Sequence, residues 1–316
     1  MAQGFAELIH NVYIGLFALA VILALWLPKT GKGKVGSAVL AAAVMSIPMV
    51  IGLKHQAERR EQAAKEQVLV DRAATRFAEL CEGAGDKINR TVDDVDGLML
   101  LKIRPHLEFK DNLDPMLPGA AFAGERSGDE YIQMFLGAEH PVSFGNDGPS
   151  PEKIKALKMR GGIGFVGESP WPRYRYVDAI DPKDGVRYRY TGIKKMVDLV
   201  GSDGKPYSRE RVVLERQPAS GPSARYAVDY EDIVNPEDRK LWIAGTIIRV
   251  IDQQTNEVLA EYTAYAMDAG MGTTDGTRAP WEYTASHGNM RCPNVSGGTS
   301  TYTRYFVDRV LIPRKS

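Results

Sequence analysis

Two apolar stretches at the N-terminus constrain this chain more than any other feature. Residues 12–27 are sixteen positions without one charge. With Pro28 and the flanking residues 9–11 they approach the roughly 20 residues that cross a hydrocarbon core about 30 Å thick. Residues 35–53 are nineteen uncharged positions that include Gly36, Ala41, Ala42, Ala43 and Ser46, small side chains that let two helices approach closely in lipid. Pro48 is tolerated in such a helix where a neighbouring helix or a Ser hydroxyl satisfies the carbonyl it frees. The six residues from Lys29 to Lys34 can only turn the chain straight back. The expectation is an N-terminal transmembrane helical hairpin over residues 1–53, seated in a lipid bilayer through two spans. The alternatives are a cleaved signal peptide for the first segment and a buried core helix for the second. A signal peptide wants Lys or Arg before its apolar stretch, and residues 1–11 have none.

Orientation rests on charge. Lys29, Lys32 and Lys34 crowd one short loop and pull it to the cytoplasm, which places the bulk of the chain outside. Lys54, Arg59, Arg60 and Lys65 follow the second span and argue the other way. The denser loop charges and the usual dominance of the first helix favour the outside placement.

The hairpin leaves 263 of 316 residues for structure in water. That length allows one large domain or two small ones. Residues 1–53 hold three Lys and one Glu, so the remainder carries 37 basic and 39 acidic residues, net −2. Such a balance gives no basic footprint for nucleic acid. With 44% hydrophobic residues and two Cys, neither disorder nor a Cys-dense scaffold fits.

From residue 54 to 83 the chain is rich in Ala, Glu, Gln, Lys and Arg and free of Pro, a composition with strong helix propensity. It is read as a helical stalk over residues 54–84. Ala63, Gln67, Val70, Ala74, Phe77, Cys81 and Ala84 recur at heptad spacing, a narrow stripe through which two stalks can pair into a homo-oligomer. In the half farther from the membrane the stripe is read instead as packing on its own domain.

Gly83 and Gly85 end the helix, and β signals follow. Strands are expected at residues 88–92 and 95–103, joined at Asp93 and Asp94, with the apolar run Leu98 to Leu101 central. Eight Pro between 105 and 172 imply irregular structure there, apart from short helices at 129–136 and 151–159. Further strands are expected at 174–180 and 186–191 around an Asp181-to-Gly185 turn, then at 211–215 and 226–230. A long hairpin at 241–251 and 258–267 carries the strongest β signal. Residues 303–311 space Phe306, Val307, Val310 and Leu311 as a closing helix, with Pro313 beyond. The fold class is an α+β, mostly antiparallel-sheet domain over residues 85–316, carried on the hairpin and stalk.

The stretch Arg76 to Val92, the run Asp96 to Pro105, the hairpin from Leu241 to Asp268, and Cys292-Pro293 followed by Phe306-Val307 and Val310-Leu311 together resemble a set of uncharacterised proteobacterial two-span inner-membrane proteins with a C-terminal α+β ectodomain. The resemblance covers scattered blocks and matches the hairpin only in kind. It implies this architecture in a bacterial inner membrane, where the outside placement argued from charge makes the ectodomain periplasmic, and supplies no catalytic residue.

Motifs that carry chemistry are few. Gly162, Gly164 and Gly167 fit G-x-G-x-x-G, but Pro170 and Pro172 forbid the helix whose N-terminus must face a pyrophosphate. Ser150 to Lys153 matches S-x-x-K without the later K-T-G strand that family needs. None of the five His stands three or four residues from another His or a Cys. No cofactor and no metal are therefore expected. His287, near Asp275 and Glu282, is the least implausible catalytic His.

Two expectations name residues. Cys81 and Cys292 are placed to form a disulfide tying the ends of the domain together if the compartment is oxidising, the alternative being two free core thiols. In the hairpin around Asp181 to Gly185, alternation puts Tyr176 opposite Tyr190 and gathers Arg173, Arg175, Arg187 and Arg189 on one exposed face. Arg175, Arg187 and Arg189 are the candidate binding surface for an acidic partner, unless carboxylates of the same domain neutralise them. The function expected is a membrane-anchored, non-enzymatic ectodomain that binds a protein or envelope component, with an accessory or immunity-type role as one version. The alternative is an envelope hydrolase with its site in loops 105–172 or 269–300. A cytosolic regulatory domain survives only with the reverse orientation.

Overall fold

The computed structural model describes residues 31–137, 173–200, 204–274, 276, 278–286, 290–293 and 301–314, together with Gly15 and Ile22; side chains at 31–49, 209–212 and 286 lie outside that description. The chain divides into two compact units, Met1–Leu69 and Val70–Ser316. The first span expected, 12–27, and the helix expected at 151–159 fall outside the described residues. Among the described residues no helix is long and apolar enough to cross a membrane.

One helix, α1 (Gly31–Glu82), begins inside the expected Lys29–Lys34 turn, contains the second apolar stretch and all but the last two residues expected of the stalk, and stops immediately before Gly83. Within the second unit its end packs on the domain: Ala73 is buried, and Phe77 and Leu80 lie against Leu241 and Ile243. The stripe facing the domain is thus 73, 77 and 80, one position off the heptad expected at 74.

The domain is α+β with a mostly antiparallel sheet. Its strands are β1 (Gly85–Ile88), β2 (Val92–Val95), β3 (Gly97–Leu100), β4 (Tyr176–Ile180), β5 (Arg187–Val200), β6 (Pro206–Pro218), β7 (Tyr226–Ile233), β8 (Ile243–Asp252), β9 (Glu257–Met267), β10 (Arg291–Cys292) and β11 (Leu311–Pro313). The helices after α1 are α2 (Gly128–Leu136), α3 (Pro236–Lys240), α4 (Pro280–Ser286) and α5 (Tyr302–Val307). The main sheet runs β1-β9-β8-β7-β3-β4-β5-β6, with β10 also on β9. β3 is parallel to both β4 and β7, and Leu98, Met99 and Leu100 are buried, as suits a central strand covered on both faces. Gly97 lies opposite Tyr176, whose ring would be 2.6 Å from a Cβ there, so the ring occupies the space a side chain would take.

Alternation along β8 and β9 builds the core face. Ala244, Thr246, Ile248 and Val250 are buried opposite Ala266, Ala264, Tyr262 and Ala260. Helices α2 and α5 contribute Tyr131, Phe135 and Phe306 to the same cluster, and Tyr262 packs on Phe306 with ring centroids 5.4 Å apart.

Four expectations need correction. The first strand expected, 88–92, is split: β1 ends at Ile88 and β2 begins at Val92. The turn at Asp93 and Asp94 is absent: β2 runs through both, Asp94 with φ 57°, and Asp96 alone separates β2 from β3. The strand expected to reach Ile103 stops at Leu100, because past it the chain turns away toward Pro105. The closing helix expected at 303–311 ends at Val307, and Leu311 to Pro313 become a strand parallel to β2. Pro313 has no N–H for a helix, and a short edge strand tolerates it.

Strands β5 and β6 exceed the lengths expected, pairing from Tyr188 with Pro218 to Val200 with Pro206. β4 takes only Arg187 to Tyr190 of β5, so beyond Thr191 the two strands pair with each other alone among the described residues.

The disulfide between Cys81 and Cys292 is formed, with Cα atoms 5.6 Å apart. It joins the last turn of α1 to β10.

Candidate functional site

The expected cationic face does not assemble. Asp181 N–H donates to the Val186 carbonyl at 3.0 Å and Gly185 N–H to the Asp181 carbonyl at 2.9 Å. This turn sets Ile180 opposite Arg187 and Val177 opposite Tyr190, one residue from the expected register. A one-residue slip exchanges the faces of a strand. Arg189 therefore stands with Asp178, donating to its two oxygens at 2.7 and 2.8 Å, and lies 3.9 Å from the Tyr176 ring centroid. Arg187 donates to the Ala219 and Gly221 carbonyls, and Arg175 faces Asp96 at 3.4 Å.

The described structure instead builds a recess of about 200 Å³ over Arg104, walled by Pro105, His106, Pro118, Phe122, Ser127 and Asp232. Arg104 follows the central strand, and Pro105 turns the chain so that its side chain runs back under the 3₁₀ turn Ala120–Phe122. Its guanidinium is 4.1 Å from the Tyr230 ring centroid and 5.0 Å from that of Phe122. Such stacking holds a planar cation in place. Arg104 Nε donates to Glu125 Oε2 at 2.5 Å, Nη1 to Asp232 Oδ1 at 3.4 Å and Nη2 to Thr246 Oγ1 at 3.4 Å. Glu125 also accepts from the Thr303 amide at 2.6 Å and the Thr303 hydroxyl at 2.9 Å, which ties α5 to the floor of the recess.

Burial decides the electrostatics. It works to strip the charge from Arg104, but Glu125 first, then Tyr131 and Asp232, outweigh it and hold the guanidinium above its ordinary value. Burial pushes the Glu125 carboxyl up, against the pull of Arg104 and both Thr303 bonds. Nearby Arg291, 4.4 Å from the Tyr302 ring centroid, is pushed down by burial.

At the rim, His106 Nδ1 and Ser127 Oγ are 3.3 Å apart. Ser127 precedes α2, and its hydroxyl makes no cap to that helix. Gly119, at φ 79°, arches over Asp232 and Arg104; a side chain there would be strained by that backbone angle. Asp232 Oδ2 lies beneath it with no hydrogen bond among the described residues, so it is the acceptor the recess presents.

In a larger groove of about 430 Å³ beside the end of α1, Arg76 pairs across to Asp238 at 2.8 Å and along its own helix with Glu79 at 3.3 Å. Among the described residues no group of three His, Cys, Asp or Glu could hold a metal ion. The glycines at 162–167, the residues Ser150 to Lys153, His287 and Asp275 lie outside the described residues; Glu282 sits in α4. At the head of the 269–300 loop, buried Asp268 accepts from the Gly270 and Gly272 amides and pairs with Arg278.

Sequence reading missed Arg104, Glu125 and Asp232 as a set. Their sequence separations are 21 and 128, beyond any local motif. The one local signal was an Arg ending an apolar central strand just before a Pro. No family model, curated protein or solved structure matches this chain.

Proposed function

We propose that this protein is a membrane-anchored ectodomain of the bacterial inner membrane that binds a protein or envelope component on the periplasmic side, without turnover. Residues 12–27 and 35–53 cross the bilayer as a hairpin, the stalk continues from the second span, and the recess over Arg104 seats the partner. The observation that carries the reading is the Cys81–Cys292 disulfide, because such bonds persist in oxidising compartments. The uncharged lengths of the two apolar stretches support the anchor. The internally paired Arg104, Glu125 and Thr246 support binding, since a floor whose charges are spent on one another is rigid and suits a recessed contact.

A reporter Cys at the C-terminus, labelled by a membrane-impermeant reagent, tests the topology. Labelling in intact spheroplasts is the expected result, and labelling only after lysis overturns it in favour of a cytosolic domain. A pull-down from detergent-solubilised membranes tests the recess: His106→Trp with Ser127→Trp should lose the partner, and undiminished recovery refutes that seat.

The His106–Ser127 contact favours a second reading, an envelope hydrolase in which His106 draws a proton from Ser127. A fluorophosphonate probe that labels the wild type and not Ser127→Ala would select it.

A further inference from the structure

The long outer strand carries a pattern that the recess does not use. β6 is the last strand of the main sheet, and among the described residues none lies beyond it. An open edge of this length offers a row of unpaired N–H and C=O groups to another strand. Pro206 and Pro218 close its two ends, and charges stand at 209–211 and 215–216.

Those charges do more than blunt the edge. An antiparallel partner of the same sequence, centred on Val213, sets Val212 opposite Leu214, Arg211 opposite Glu215 and Glu210 opposite Arg216. Arg209 then faces Gln217. Each of these pairings occurs twice about the two-fold axis, with an apolar centre between them. A slip of one residue one way brings Arg209 opposite Arg216 and Glu210 opposite Glu215. A slip the other way brings Arg211 opposite Arg216. Opposite charges across a pair of strands stabilise it and like charges destabilise it. One register is therefore selected by attraction at its own positions and by repulsion at its neighbours.

We infer that β6 docks against β6 of a second copy of this chain, antiparallel about Val213, joining the two main sheets edge to edge. Bonds within one copy are compatible with this. Glu215 faces Lys195 at 3.2 Å with both side chains more than half exposed, and a carboxylate has room to accept from a second cation. Arg216 donates to Asp181 at 2.6 Å and also bonds the Tyr190 side chain, and others of its five N–H groups remain. The interface is isologous, so it closes at two copies. It stands on β6 alone and does not depend on the membrane anchor.

The test uses the full chain in detergent micelles. Cys81 and Cys292 are bonded to each other, so in Val213→Cys the new thiol is the free one. Paired residues of antiparallel strands have Cα atoms about 4.5–5.5 Å apart, within the range of a disulfide. Oxidation should give a covalent dimer on a non-reducing gel for Val213→Cys and only background for Val212→Cys or Leu214→Cys. Adding Arg211→Glu to Val213→Cys should abolish the dimer, and adding Glu215→Arg to that variant should restore it. The unfolding temperature of each variant checks that it is folded. Equal cross-linking at 212, 213 and 214, a monomer at 213 in a folded protein, or failure of the charge swap to restore the dimer would overturn the inference.

Discussion

Replacing both Cys81 and Cys292 by Ala removes the one covalent link between the start and the end of the domain and leaves no free thiol. The bond closes a loop with a sequence separation of 211. In the chain-entropy model a loop of about 210 residues withholds about 18 cal/mol/K from the unfolded chain, or about 5 kcal/mol at 25 °C. The native state should hardly notice the loss. Phe77 and Leu80 still pack on Leu241 and Ile243, Arg76 still meets Asp238 at 2.8 Å, and β10 still pairs with β9. The cost therefore falls on the unfolded side of the balance. For a urea slope of about 3 kcal/mol per molar, the midpoint should drop by about 1.5–2 M, with a rise in slope as the denatured chain expands. The assay is equilibrium unfolding in urea followed by tryptophan fluorescence, comparing the wild type oxidised, the wild type reduced and the double variant. The last two should coincide. A midpoint loss equivalent to less than about 1 kcal/mol, with the wild-type disulfide verified by mass, would refute the entropic argument.

Two further perturbations address the charges. Arg104→Met strands Glu125 in the core and should cost about 3–5 kcal/mol, whereas Arg104→Met with Glu125→Leu should recover most of it; equal losses in the two variants, measured by urea unfolding, would show that packing and not charge pairing dominates. Asp252 accepts from Arg225 at 2.7 Å, the Gln254 amide at 3.1 Å and Arg90 at 3.3 Å, and Arg225 first, then Gln254 and the charge of Arg90, hold its carboxyl below the ordinary range. Because the folded value is depressed, the stability it contributes is present above the unfolded value of about 3.9 and is lost as pH falls through the folded one. Asp252→Asn should flatten the loss of unfolding temperature between about pH 5 and pH 2, and an unchanged acid limb would remove Asp252 from the account.

Local chemistry made much of the fold legible. The β8–β9 hairpin is dense in β-branched and aromatic residues, the turn after Ile180 is marked by Pro182 and Gly185, and α1 stops where Gly83 and Gly85 say it should. What failed was what partners decide. The register of β4 on β5 is fixed by two hydrogen bonds inside the turn, so a reading that placed the turn correctly still exchanged the faces. Leu311 and Pro313 are strand because Val92 and Val95 lie beside them, and no spacing among Phe306, Val307, Val310 and Leu311 contains that information. The recess follows the same rule: Arg104 comes from the loop after β3, Asp232 from β7, Thr246 from β8 and Thr303 from α5, and only the finished domain brings them together.

The pairing of β11 with β2 sets an order on the birth of the molecule. Val92 and Val95 leave the ribosome well before their partners Leu311 and Pro313, and the Tyr174 hydroxyl also waits for the Leu311 carbonyl. Completion of the fold must therefore wait until residues 311–313 have cleared the ribosome. Until then the early strands emerge without the strand that closes them, and nascent chains in that state are exposed to aggregation and proteases. A chain cut before Leu311 would keep the strands of the main sheet and lose the partner of β2.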